Sequence, residues 1–250
     1  MSVRVSRKTQ VRRQLAGTPA VLLSASIPYE HERPQHMPAR EWAPRAKRNR
    51  EYLATSEPAR IRAAVAAITR AILWRGVRLV FGAHPAISPI VLNVARDIDA
   101  PAGNILIFQP EFRNLLPKPT LELASLEAGR LVLTAVVNAR NGRDHESRDA
   151  SLALMRKLMV SVPGLRAGIF VGGMEGVEEE AELMRKEHTG AQFYALASTG
   201  SGARRLWLRQ PKDFSGSLRE PDLLAECWSY SVVARRILDD LKIPAARDPR

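Results

Sequence analysis

Between Ala167 and Met184 the chain sets three glycines, Gly172, Gly173 and Gly176, after a short apolar run, and the consecutive acids Glu178, Glu179 and Glu180 follow at once. Ala167 to Val171 has the character of a buried parallel strand, and from Val177 to Met184 the apolar positions return at helical spacing. Glycine tolerates positive φ and lets main chain come close to a ligand. Amides at a helix N-terminus point outward and carry about half a positive charge, so strand, glycine turn and helix in that order make a cradle for an anion, phosphate above all. Met174 and Glu175, inside the turn, belong to the same candidate site. Acids in a first helical turn also offset the helix dipole with no ligand present, and both readings stand at this point.

Three further turns carry residue types suited to phosphate or ribose. Ser198-Thr199-Gly200-Ser201-Gly202-Ala203-Arg204-Arg205 offers glycines for approach, hydroxyls and amides as donors, and arginines near by, with Thr199, Gly200 and Ser201 the candidate contacts. It lacks the lysine and spacing of a Walker A loop. Ser24 and Ser26 end the first apolar run, Ala20 to Ala25, where an open parallel sheet presents its ligand crevice, although a serine-rich strand exit is equally a plain turn. Gly82-Ala83-His84-Pro85 follows the run Val77 to Phe81, and His84 either meets a phosphate or ribose or caps the helix that begins at Ser88.

The stretch Gly172-Gly173-Met174-Glu175-Gly176-Val177-Glu178-Glu179 resembles the signature loop of the SLOG superfamily of Rossmann-like nucleotide-binding domains, whose Lonely Guy members carry Pro-Gly-Gly-x-Gly-Thr-x-x-Glu. It departs from that pattern in three ways: Val171 stands for the proline, Val177 for the threonine, and one extra residue precedes Gly176. Arg156 and Lys157, in Met155-Arg156-Lys157-Leu158-Met159, are similar to the Arg-Lys pair on the helix before that loop, with 16 residues from Arg156 to Gly172 (172 − 156). The resemblance implies a ligand derived from a nucleotide, ADP-ribose-like or a nucleoside phosphate. It further implies a role as sensor or processor in bacterial conflict and anti-phage defence, with an effector protein as possible partner. It also raises an enzyme: a phosphoribohydrolase cleaving a nucleoside monophosphate to base and ribose 5-phosphate, with Arg156 and Glu178 or Glu179 as catalytic groups. Related enzymes pair as dimers, so a homo-oligomer is the default.

These residues need a sheet to hold them. Apolar runs alternating with helical periods predict an α/β, doubly wound, mostly parallel Rossmann-like sheet with helices on both faces. The helices expected are Ser56 to about Arg75 with Ser56 as N-cap, Ser88 to Ile98, Asp144 to Val160 with an apolar stripe of Leu152, Met155, Leu158 and Met159, and Pro221 to Leu241 with Cys227 and Trp228 in the core. The organisation expected is a basic N-terminal arm over 1–18, one domain over 19–243 and a tail over 244–250. The aperiodic segment Tyr29 to Thr55 is read as a flap over the site.

With 250 residues, 45% of them hydrophobic, the chain suffices for one well-buried domain. One cysteine, Cys227, excludes an internal disulfide and fits a cytoplasmic setting. No histidine or cysteine spacing fits a metal motif, no cofactor is expected, and no run has the length of a membrane span. A net charge of +12 favours anionic partners, including nucleic acid, but an aromatic content of 6% leaves few stacking platforms, so that partner ranks below a nucleotide.

Overall fold

Six parallel strands hydrogen-bond in the order β4-β3-β2-β1-β5-β6. They are β1 (Ala20–Ser26), β2 (Arg78–Gly82), β3 (Ile105–Pro110), β4 (Gly129–Thr134), β5 (Leu165–Gly172) and β6 (Gln192–Leu196). The computed structural model describes residues 18–30, 32–33, 37–111, 116–137 and 144–244. The expected basic arm, apart from its last residue, and the tail beyond 244 therefore lie outside the described residues. Helices α1 (Ala39–Ala54), α2 (Pro58–Trp74), α3 (Ser88–Asp97), α4 (Lys118–Ser125), α5 (Asp144–Val160), α6 (Glu175–Glu187), α7 (Ser201–Arg209), α8 (Leu223–Glu226) and α9 (Tyr230–Asp240) complete the chain, with short 3-10 turns at Ala197–Thr199 and Pro211–Phe214.

The sheet is covered on both sides, so its strands read as continuous apolar runs. Alternate residues Val21 and Leu23 of β1, Leu79 and Phe81 of β2, and Ile105 and Ile107 of β3 face a core built with Ile61, Val65, Ile68 and Ile72 of α2, Val91 of α3 and Ile237 of α9. Ala20, Leu22, Val80, Leu106 and Phe108 face the opposite side, against Met155 and Met159 of α5 and Met184 of α6. This is the α/β, Rossmann-like arrangement expected from the alternation. The same parity carries Ser24 to the α5 and α6 side of β1.

Several local expectations are corrected. Residues 39–54 form a helix where no period was read, because Pro44 sits inside it and only Asn49 and Tyr52 are buried. Helix α2 begins at Pro58 after Glu57, and the Ser56 hydroxyl makes no cap. Leu158 falls off the apolar stripe and is 44% exposed, whereas Met159 is fully buried. The final helix is two pieces, α8 and α9, and in the break between them Trp228 is 64% exposed, stacked on Arg60, while Cys227 is only partly buried. Replacing Met159 by Ala is expected to destabilise the fold by about 2–5 kcal/mol, because the cavity left under α5 cannot collapse. Leu158→Ala should change stability by less than about 0.5 kcal/mol. Urea midpoints of the two variants test the contrast.

Candidate functional site

Strand order reverses between β1 and β5, the place where open α/β sheets take their ligands, beyond the carboxyl ends of the strands. Ser26 and Gly172 are paired there at the ends of the two strands. Gly82 ends β2 and Gly200 follows β6, so all the predicted glycine turns lie along one rim. Positive φ at Gly172 (55°) and Gly173 (81°) turns the chain off the sheet into α6, and a Cβ on Gly173 would collide with the Val177 side chain. The Gly172 amide donates to Thr199 Oγ1 at 2.8 Å, and the Gly173 amide to the Ser26 carbonyl at 2.8 Å. These two donors hold the loop's own shape. The amides of Glu175 and Gly176 in the first turn of α6 have no intrahelical partner, and Met174 at the N-cap supplies no side-chain cap.

Helix α5 joins two of the predicted turns through consecutive residues. Met155 closes on Gly82, where a Cβ would stand 3.3 Å from its Cε, and Arg156 lies so close to Gly176 that a Cβ there would stand 2.5 Å from Nη2. Arg156 Nη1 is 2.5 Å from Glu179 Oε2, and Nε is 3.6 Å from Glu180 Oε1. Burial holds the Glu180 carboxyl above its ordinary value of 4.5, with Arg156 and the Ser24 hydroxyl opposing. That hydroxyl is itself buried and faces the carboxyl without closing a hydrogen bond of ordinary length. Burial also raises Glu179, again opposed by Arg156, although its side chain remains 47% exposed. The arrangement pairs a guanidinium with two carboxyls at the mouth of the sheet, one of them accessible.

Glu178, the other candidate, turns elsewhere because adjacent helical residues point about 100° apart. It accepts from Tyr52 Oη at 2.7 Å and pairs with Arg205 at 3.0 Å and Arg209 at 2.8 Å, both on α7. Burial first, and then Glu178, push the Tyr52 hydroxyl above its ordinary range. Helix α1 reaches the same mouth: Arg48 pairs with Glu175, Arg45 with Asp149 at 3.1 Å, and Glu51 with Arg205 at 2.9 Å. Arg45, Arg48, Tyr52 and Arg209 were not anticipated as site residues, and Arg205 only as an arginine near the β6 turn. The spacing of Arg45, Arg48 and Tyr52 by three and four was the available signal.

The β6 turn is knitted inward. Gly200 has φ 77° and lies so near the Thr55 carbonyl that no Cβ would fit; the Ser201 amide donates to Thr55 Oγ1 at 3.1 Å and its hydroxyl to the Tyr52 carbonyl at 2.9 Å. Thr199 and Ser201 are fully buried, and helix α7 begins where a loop was expected. His84 Nδ1 accepts from the Ala86 amide at 3.2 Å, and its carbonyl accepts from Ser88 at 2.9 Å, so it shapes the entry to α3. Among the described residues no cluster of three or more histidine, cysteine, aspartate or glutamate side chains is placed to hold a metal ion, and no helix is long and apolar enough to cross a membrane.

A parallel sheet whose order reverses between β1 and β5, with glycine turns and arginines along its carboxyl rim, is a Rossmann-like arrangement. The chain belongs to the SLOG cluster3 family, whose model matches residues 51–225. Membership suggests a nucleotide-related binding or processing domain. No curated protein matches the sequence.

A carboxyl raised in the folded state stabilises below the ordinary glutamate value and loses that contribution as pH rises through the raised one. Wild type is therefore expected to lose stability upward from pH 4.5 as Glu180 ionises, and Glu180→Gln to flatten that slope. Urea midpoints between pH 4 and 8 measure it; an unchanged slope in the variant refutes the assignment.

Proposed function

We propose that the crevice between β1 and β5 binds a nucleotide-derived ligand, an ADP-ribose-like molecule or a nucleoside phosphate, as the recognition element of a sensor. The observation that carries this reading is the meeting of the α6 first turn with the Arg156 guanidinium at the order reversal. The Glu175 and Gly176 amides and the helix dipole favour an anion, and arginine binds phosphate through paired donors. Arg48 flanks the same turn, and Ser26, half-buried at the end of β1, offers a hydroxyl on the rim below, while the Ser24 hydroxyl is buried against Glu180. In such a role the chain would report ligand to an effector protein, and anti-phage defence is the setting the resemblance favours.

A second reading has its own support in the contact of Arg156 with Glu179. A half-exposed carboxyl whose proton is held above the ordinary range is suited to general acid-base work, and in ionised form it would stabilise an oxocarbenium-like ribosyl cation during N-glycosidic cleavage. Glu178 is the weaker catalytic candidate, since Tyr52, Arg205 and Arg209 engage it.

Calorimetric titration with ADP-ribose and AMP, followed by mass spectrometry of the recovered ligand, tests both readings. For the sensor, ligand returns intact and Arg156→Ala weakens binding about 10- to 100-fold, the range for a charge-assisted hydrogen bond. For the hydrolase, AMP yields free base, and Glu179→Gln abolishes that release while the protein still binds AMP.

A further inference from the structure

Helix α7 has two faces with opposite electrostatic surroundings. Arg205 and Arg209, four residues apart, turn toward α1 and α6 and are taken up by Glu51 and Glu178. Arg204 and Leu208, also four apart and so on one face, turn instead onto a cavity of about 250 Å³ between α7, α8 and the start of α2. Arg60 and Glu57 stand at its edge, with Ala197, Trp207 and Ala225 among its apolar lining. It shares no lining residue with the Arg156 cluster.

The mouth of this cavity is unusual in three respects. Leu208 is 66% exposed and Trp228, beside Arg60, 64% exposed, so two large apolar side chains stand in solvent there. The Trp228 ring is held by the Arg60 guanidinium at 3.8 Å, so its position is fixed without burial. Arg204 is exposed and makes no ion pair among the described residues, unlike Arg205 and Arg209 on the same helix. Charge along the lining is uneven as well: Glu57 pairs with Arg60 at 3.8 Å, which leaves Arg204 uncompensated.

The volume lies below the roughly 300–1,000 Å³ of small-molecule sites and suits one bulky side chain. Tryptophan and arginine are among the residue types that dominate protein interfaces. An aromatic ring ordered in advance by a cation also loses less entropy on binding. We infer that this face docks a segment of a partner protein carrying one bulky apolar side chain flanked by carboxylates. The apolar group enters over Ala197, Trp207 and Ala225, covered at the mouth by Leu208 and Trp228, and the carboxylates pair with Arg204 and, in place of Glu57, with Arg60. Residues 1–17 of this chain contain no acid and do not meet that requirement.

Fluorescence anisotropy with the full chain and three labelled peptides provides the test: a phenylalanine between two Asp-Glu pairs, the same peptide with alanine for phenylalanine, and the same with lysine for every acid. Saturable binding of the first is expected, at least about tenfold tighter than either other peptide, and Arg204→Glu or Trp228→Ala should weaken it about tenfold or more. Both substitutions fall on exposed side chains, and unchanged urea midpoints would show that the fold is intact. Failure of the first peptide to saturate, or equal binding by all three peptides or by the variants, overturns the proposal. Sedimentation velocity supplies an independent measurement: a wild-type dimer that Leu208→Glu converts to monomer makes the face a contact between copies of this chain and also overturns it.

Discussion

The site depends on one contact, the Arg156 guanidinium lying against Gly176 at the start of α6. A cation beside a helix N-terminus is electrostatically unfavourable, so it stays there only because Glu179 and Glu180 come from the same helix to meet it. Any side chain at 176 would displace the guanidinium from this position. Glycine in this turn therefore serves the approach of an arginine as much as it serves the backbone. The pairing also links α5, which crosses the sheet from β4, to the helix that leaves β5, and so fixes the geometry on one side of the order reversal.

A second consequence concerns the main-chain donors. In the loop after β5 the Gly172 and Gly173 amides are bonded to Thr199 and Ser26, and the Gly202 amide of α7 returns to the Gly173 carbonyl at 2.9 Å. The two glycine-rich turns thus brace one another, which keeps buried amides satisfied without a ligand. The main-chain donors left without an intrahelical partner are those of the first turn of α6, beside Arg48 and Arg156. Sequence features that look alike, a glycine pair after one strand and a glycine-serine turn after another, end in different roles because one sits at the start of an open helix end and the other beneath Thr55 and Tyr52.

The sheet was legible because strands buried on both faces are largely apolar, and Ala20 to Ala25, Val77 to Phe81 and Ala167 to Val171 are so apart from Ser24 and Arg78. The Arg156 contact was legible through its spacing from Gly172, but which glutamate it meets was not, since Glu178 and Glu179 differ only in helical angle. Helix α1 stayed hidden because its hold on the molecule is ionic rather than apolar. Asn49 and Tyr52 alone are buried, and arginines at 45 and 48 read as solvated charge until Asp149 and Glu175 are known to lie opposite. Trp228 misled for the reverse reason: an aromatic residue within a helical period suggests core, whereas here stacking with Arg60 holds it in solvent.

The charges at the mouth also bear on what the protein's net charge of +12 does. Asp149, Glu51, Glu175, Glu178, Glu179 and Glu180 meet Arg45, Arg48, Arg156, Arg205 and Arg209, so acids and arginines at the mouth are close to balanced in number and the net positive charge is not concentrated there. Under the proposed reading, an arriving phosphate has to replace a carboxylate as the partner of Arg48 or Arg156 rather than fill an empty cationic pocket. Such an exchange is selective, because an anion without paired oxygens cannot match the geometry a carboxylate already offers arginine. It also makes the grip of α1 depend on what occupies the crevice.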